Sequence, residues 1–498
     1  MGTLSSLKWL NRFLSETPGD SQIGGPARQV TNVCWSRVLP TPAPDAEVRL
    51  WSDEMAKLLE LSECDDEVLA GGKPVDGMDT YAQRYGGHQF GNWAGQLGDG
   101  RAITLGEVET KSQVLELQLK GSGKTPYSRF ADGKAVLRSS IREFLCSEAM
   151  HHLDIPTSRA LAAVSTGEHV ARDTFEPGGI LTRVAKSHLR VGTFEYFASR
   201  QQWEDLKILA DFAIQRHFPE IRELDNHYLE LLKKVASSQS ELVSKWMSVG
   251  FIHGVMNTDN FTISGETIDY GPCAFLDEYH PGKVFSSIDQ NGRYAFGNQP
   301  SIASWNLASL AGCLIAFIDK DSDKANELAT AVLDNFSIET NQRILDLMCK
   351  KIGISGSKEK NHSILRRLLK IMMENQADYT LTFRNISKVL TENSDEFFQL
   401  FKDKNEIHQW LKDWRAVVNS ENSDLMSLEK NLNEINPIYI PRNHQVQQAI
   451  DKAYENDFSK MLEMIDVVKR PFEEKPQYSS YAEAPLDEQK VQRTFCGT

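Results

Sequence analysis

Two stretches of this chain hold side chains whose types and spacing could do phosphate chemistry. In the first, His253-Gly254-Val255-Met256-Asn257-Thr258-Asp259-Asn260 leads through apolar residues to Asp269-Tyr270-Gly271. Asn260 and Asp269 supply oxygen donors suited to a hard cation that also bridges substrate phosphates. Asp259, beside Asn260, is a carboxylate within reach of the same place. In the second, Gln96-Leu97-Gly98-Asp99-Gly100-Arg101 is a glycine turn able to bring backbone N–H groups to a phosphate. Lys120 ends the strand that follows, and Glu143 sits on the next helix. A lysine so placed can hold phosphate oxygens while a carboxylate orients it. Arg183 and Arg190 add fixed positive charge, and their planar forks match phosphate.

The order of these parts is that of a protein kinase: glycine turn, lysine, helix glutamate, catalytic loop, then an Asp-x-Gly triplet. His253 and Asn260 have the spacing of the H-R-D-x-x-x-x-N loop, and Asp269-Tyr270-Gly271 stands where D-F-G belongs. One position departs. Val255 occupies the place of the catalytic aspartate and cannot accept a proton. Asp259 is the nearest replacement. Gly121-Ser122-Gly123-Lys124-Thr125 imitates the end of a Walker A loop, but the required upstream glycine is Gln118 and Pro126 interrupts any following helix.

These side chains need elements to position them. Strands are expected at Ala102–Leu105, Val114–Leu119, Ala160–Val164 and Ile180–Val184, with another strand-like run at Phe261–Ile268. A helix is expected over Leu137–Leu153, stopped by Ile155-Pro156. The glycine-dense run from Tyr85 to Gly91 marks close backbone approach. Past about residue 190 the pattern is mostly helical. Strands first and helices afterwards predict an α/β (α+β) chain in two lobes. The expected boundaries are a mixed N-lobe at 1–186, a larger helical C-lobe at 187–475, and a mobile tail at 476–498.

Composition sets the outer limits. With 498 residues, a large core is within reach. Fifty-five Lys+Arg against 69 Asp+Glu give a net charge of −14, which argues against general nucleic-acid or anionic-membrane binding. The 7 cysteines are scattered without a CxxC, which argues against a disulfide framework or a zinc site and fits a reducing, cytoplasmic setting. The N-terminus lacks the apolar stretch of a secretory signal, although Gly2 and Ser6 meet the loose myristoylation pattern. The longest apolar run, Ile302–Ile318, carries Ser304, Asn306 and Ser309 and is expected as a buried helix rather than a membrane span.

Four motifs together closely resemble the selenoprotein O family. They are Tyr85–Gly91, Thr125–Gly133, Val136–Glu143 and His253–Asn260. The resemblance implies a protein-kinase-like fold and transfer of AMP from ATP to Ser, Thr or Tyr hydroxyls of protein substrates, with Mg²⁺ or Mn²⁺. It implies nucleotide contacts at Gly98, Gly100, Arg101, Lys120, Glu143, Asp132, Gly133, Arg183, Arg190 and Asp269. It further implies metal ligands at Asn260 and Asp269, and a proton acceptor at Asp259. ATP then lies reversed relative to ordinary kinases, its α-phosphate toward the incoming hydroxyl. Cys496 stands where eukaryotic members carry selenocysteine, and the resemblance raises a tail disulfide. The segment Gly282–Asp289 has no cysteine to receive it, which leaves Cys273 as the alternative. Residues alone keep open a divergent γ-phosphate kinase and a non-catalytic nucleotide-binding scaffold.

Overall fold

The alternation over Val114–Lys120 becomes a strand with both faces buried. Leu115, Leu117 and Leu119 enter an apolar cluster with Leu105, Val108 and Leu161. Opposite them, Glu116 accepts from the backbone N–H and ring of His188, and Gln118 donates to Asp99 and Thr104. The polar residues are therefore internal partners and not a solvated face. Buried polar groups persist only when partnered in this way.

This computed structural model describes residues 2–390 and 394–495. The main sheet runs in the order Trp35–Arg37, Tyr81–Gln83, Ala102–Glu109, Val114–Lys120, Phe175–Ala185, Arg159–Ala171, Glu47–Trp51. Each neighbouring pair is antiparallel, and Ala135–Val136 adds a short strand beside Gly178–Gly179. The register sets Lys120 between Ala102 and Leu181, and Gln118 beside Arg183. All four strands expected in this region are present, each longer than its apolar run.

The helix Leu137–His152 packs on this sheet through Ile141, Phe144 and Leu145, which meet Ala160, Ala163 and Leu181. Val446 and Ile450 of the helix Asn443–Tyr454, with Met461 and Ile465 of Ser459–Val468, join the same cluster. The chain thus returns to the sheet lobe after Ile438, so that lobe is not one continuous stretch.

Between the two crossings lies the helical lobe. His227–Val249, Gln299–Ile318 and Ser322–Lys351 share one core, with Leu231, Val235, Leu307, Leu310 and Phe336 inside it. Glu359–Asn375 and Lys404–Glu421 build a second around Leu368, Trp410 and Trp414. Phe296–Ile318 is long and apolar enough to cross a membrane, yet Ala303, Leu307, Leu310 and Leu314 are core residues of this lobe.

Two expectations meet a different outcome. Phe261–Ile268 is not a strand: Thr262 Oγ1 donates to the Glu266 carbonyl (2.6 Å) and accepts from its N–H (3.0 Å), closing a turn. Only isolated bridges, Thr262 to Arg190 and Thr267 to Thr157, tie it to neighbours. The segment expected as a tail lies against the body as far as Phe495. Thr494 pairs with Ser286, and its hydroxyl donates to the Pro272 carbonyl at 2.5 Å. Cys496 lies outside the described residues.

Candidate active site

A cleft of about 680 Å³ opens between the lobes. Gly98, Gly100, Arg101, Lys120, Asp132, Gly133, Arg183, Arg190, Asp259, Asn260 and Asp269 all line it. Glu143 stands one layer behind, holding Lys120. The sequence-predicted residues, drawn from both lobes, are therefore brought to one place.

Four charges are linked beneath it: Lys120, Arg183 and Asp269 line the cleft and Glu143 backs them. Lys120 Nζ donates to Glu143 Oε2 at 2.6 Å and to Asp269 Oδ1 at 2.7 Å. Arg183 bonds the other Glu143 oxygen and reaches Asp269 Oδ1 at 3.3 Å. Lys120, Glu143 and Arg183 are each at most 5% exposed. Burial favours the neutral carboxyl, but Lys120, Arg183 and Arg101 outweigh it and hold Asp269 well below the usual range. Glu143 is likewise lowered against its burial, by Arg183 and then Lys120. Both carboxylates are ionised, and the group is balanced as two cations and two anions.

The loop after Ile252 is set by His253. Its Nε2 donates to the Ile268 carbonyl (2.9 Å) while Nδ1 accepts from the Val255 N–H (3.3 Å). Burial lowers its pKa, so the imidazole is neutral and its tautomer follows from the two bonds. His253 thus fastens the loop of Asn260 to the loop of Asp269 and takes no position in the cleft. Asn260 Nδ2 donates to the Val255 carbonyl (3.1 Å), which leaves Oδ1 as the atom able to ligate a cation. Asp269 has φ of 61°, a conformation few non-glycine residues adopt, and both cations bond Oδ1. Two hard oxygen donors converge here on a site already rich in positive side chains. The donor set fits a divalent cation shared with phosphate.

Asp259 has a different environment. Its Oδ2 accepts from Gln89 Nε2 at 3.2 Å, and Oδ1 is buried without a hydrogen-bond partner. Burial pushes its pKa up to about 6, opposed by Gln89 and Arg190. A carboxylate that is poised near neutrality and accepts few bonds is a competent proton acceptor. Arg190 is fixed by the His188 and Asp259 carbonyls (3.0 and 3.1 Å) and lies 4.3 Å from the Tyr85 ring centroid. Its Nη2 is 3.6 Å from Asp99 and makes no hydrogen bond.

Glycine is required where backbone crowds the site. A Cβ on Gly87 would stand 3.2 Å from Asp259 Cβ and Oδ1. Gly98 has φ of +121°, and its Cβ would meet the Tyr127 ring at 2.6 Å. The glycine-dense run lies where the sequence suggested close approach: the His88 N–H donates to Thr258 Oγ1 (2.7 Å) and the Phe90 N–H to Asn257 Oδ1 (3.0 Å).

Sequence reasoning missed Arg172, Asp99, Gln89 and Asn257 as site residues. Arg172 grips Asp132 with two bonds (2.9 and 3.2 Å), and Asp132 is held below its usual range despite some burial. No local signal links the two, since they meet only through the fold. Asp99 lies inside the quoted glycine turn and could have been found: its carboxylate accepts from the Gln83 N–H and Gln118. Cys273 is buried, and burial, followed by the neighbouring Cys146, raises its thiol well above the ordinary value.

A sheet lobe and a helical lobe, with a lysine–glutamate pair at their junction facing an Asn and an Asp, define a kinase-like phosphate-transfer fold. Comparison with known proteins narrows this. Residues 26–469 match the family described as protein adenylyltransferase SelO. A protein nucleotidyltransferase YdiU of Maridesulfovibrio salexigens is 47% identical over 471 residues, covering 93% of this chain and 96% of that one. Proteins of the same name from Agrobacterium fabrum and Rhodopseudomonas palustris are 46% and 45% identical, with the same coverage. The chain belongs to the protein adenylyltransferase SelO family. It is a nucleotidyltransferase that uses ATP and a protein acceptor.

Proposed function

We propose that AMP is transferred in the cleft between the lobes to a Ser, Thr or Tyr hydroxyl, with Asp259 as proton acceptor. The observation that carries this reading is the contrast between two buried aspartates. Asp269 is tied to Lys120 and Arg183 and fully ionised, whereas Asp259 is raised to about 6 with one oxygen unpartnered. Environments that push two carboxyl groups apart assign them different roles. In this reading the acceptor oxygen bonds the α-phosphorus, the bond to the α–β bridging oxygen breaks, and pyrophosphate leaves. The hydroxyl proton passes to Asp259.

Lys120, Arg183, Arg101 and Arg190 hold the triphosphate, and their number suits a buried tail whose desolvation demands cationic partners. Glu143 keeps Lys120 and Arg183 in place. Gly98 and Gly100 admit the nucleotide against the backbone, and Asp132 and Gly133 bound it near the cleft mouth. Asn260 and Asp269 hold Mg²⁺ or Mn²⁺, which when bound neutralises charge developing on the phosphates. The scattered thiols, with none paired among the described residues, support a cytoplasmic setting. Incubation with α-³²P-ATP should label protein with a gain of one AMP mass, and γ-³²P-ATP should not. Label arriving only from the γ position would overturn the reading.

A further inference from the structure

A second groove, about 560 Å³, adjoins the nucleotide cleft. Phe90 and Ile288 line both, so the two are continuous at that ridge. We propose that this groove seats the acceptor polypeptide and that Arg293 selects an acidic residue flanking the hydroxyl. The inference rests on the transfer reading above and adds to it the chemistry of the acceptor.

Three observations support it. The groove wall is bolted to the loop that carries Asp259: Asn257 Oδ1 accepts from the Phe90 N–H (3.0 Å) and from the Tyr294 hydroxyl (2.5 Å). A chain lying in the groove therefore passes beside Asp259, where a hydroxyl has to be delivered. Second, the ridge is apolar, with Phe90 half-buried and Ile288 open to solvent. Ile288 is 54% exposed, and Phe130, which lines the nucleotide cleft, is fully exposed. Exposed large apolar side chains at the mouth of a site mark a contact surface.

Third, Arg293 is a pinned cation without an anion. Its guanidinium lies 4.9 Å from the Trp305 ring centroid, and a Cβ on Gly91 would stand 3.3 Å from Arg293 Cζ. Among the described residues no carboxylate is within ion-pair distance of it, and its Nε is buried without a hydrogen-bond partner. Asp289 also lines the groove, but its two oxygens accept the N–H groups of Arg293 and Tyr294 (3.0 and 2.8 Å). A guanidinium already immobilised loses little entropy when a carboxylate arrives. The protein carries a net charge of −14, so an acidic acceptor needs such a local cation to approach.

The test is an array of synthetic peptides, each with one central hydroxyl residue and a Glu, Lys, Leu or Gly scanned through the flanking positions. Transfer is read as label from α-³²P-ATP. Wild type should favour Glu over Lys at one or two flanking positions by about fivefold in kcat/KM, as one partly exposed ion pair gives. Arg293→Glu should invert that preference, Arg293→Lys should keep it, and Ile288→Ser should weaken all peptides together. The stabilisation of each variant by added ATP, measured as a rise in Tm, reports an intact fold and nucleotide cleft. If Arg293→Glu fails that check, Arg293→Gln replaces it and should abolish the preference. A wild type that labels peptides without flanking bias, or a bias unchanged in the Arg293 variants, overturns the groove assignment alone. A wild type that labels no peptide at all overturns the transfer reading and the groove with it.

Discussion

Lys120 and Lys351 are both buried, at 3% and 4% exposure, in opposite lobes. Lys120 meets two carboxylates and an arginine that shares them. Lys351 ends the long helix Ser322–Lys351 with its Nζ 4.9 Å from the Phe383 ring centroid, and burial lowers its pKa to about 7. Nearby, the indoles of Trp410 and Trp414 donate to the Ile364 and Ile352 carbonyls at 2.9 and 2.7 Å, while Asn436, whose Nδ2 donates to the Lys351 carbonyl (2.8 Å), keeps a buried Oδ1 without a hydrogen bond. Around the cleft, charged side chains satisfy one another and still leave Asp259 Oδ1 and Arg190 Nη2 without a hydrogen bond, the latter only within ion-pair distance of Asp99. Unpartnered polar atoms thus occur in both lobes, but in the helical core they sit among packed side chains, whereas Asp259 and Arg190 border an open cavity. Incomplete satisfaction of that kind is tolerated where function requires it.

The comparison breaks most visibly at Asp269. Asp269→Asn keeps the shape but leaves Lys120 and Arg183 sharing Glu143 alone. Transfer should fall on the order of a thousandfold, as loss of a charge-stabilising group at a phosphoryl centre does. The ligand-free variant should also lose roughly 3–5 kcal/mol of stability, because a buried charge is left without compensation. Radiolabel incorporation and denaturant unfolding measure the two effects. Unchanged stability would mean that the four charges are not coupled as their distances indicate.

Asp259→Asn should separate chemistry from binding. The variant retains the Gln89 contact but cannot take a proton, so transfer should drop by about 10²–10⁴ while ATP binding persists. Equal loss of nucleotide affinity, read by calorimetry, would remove Asp259 from the role of base and make it a binding group.

How legible these regions were follows from where their information lies. Lys120, Glu143, Asn260 and Asp269 sit at fixed spacings on successive elements, so the sequence exposed them. The strands were legible because alternation over Val114–Lys120 survives even with both faces buried. Arg172 gripping Asp132, and Arg293 against Trp305, are contacts between segments far apart in sequence and left no local trace. Phe261–Ile268 misled because its apolar residues alternate like a strand, while the decisive feature, the Thr262–Glu266 turn, is a side-chain bond. The return of Asn443–Tyr454 and Ser459–Val468 to the sheet lobe was hidden for a similar reason: amphipathic helices show which face is apolar, but not what they cover.

The smallest expected effect lies at Lys351. Its folded-state pKa of about 7 stands below the ordinary 10.5, and burial is the cause. Between those two values the unfolded chain holds a proton that the folded chain lacks, so unfolding takes one up. Stability therefore rises with pH across that window, and below about 7, where both states are protonated, this slope vanishes. Lys351→Met keeps the length and the contact with Phe383 but removes the charge. The variant should gain about 1–3 kcal/mol at pH 6, the scale on which a buried polar group without a partner penalises a fold. The gain should shrink toward pH 10, and AMP transfer should be unaffected at any pH. Denaturant midpoints for both proteins across that range measure the slope. A Lys351→Met variant that loses stability at pH 6 would show that the ammonium is satisfied in the fold, and the two buried lysines would then differ in their partners and not in whether they have any.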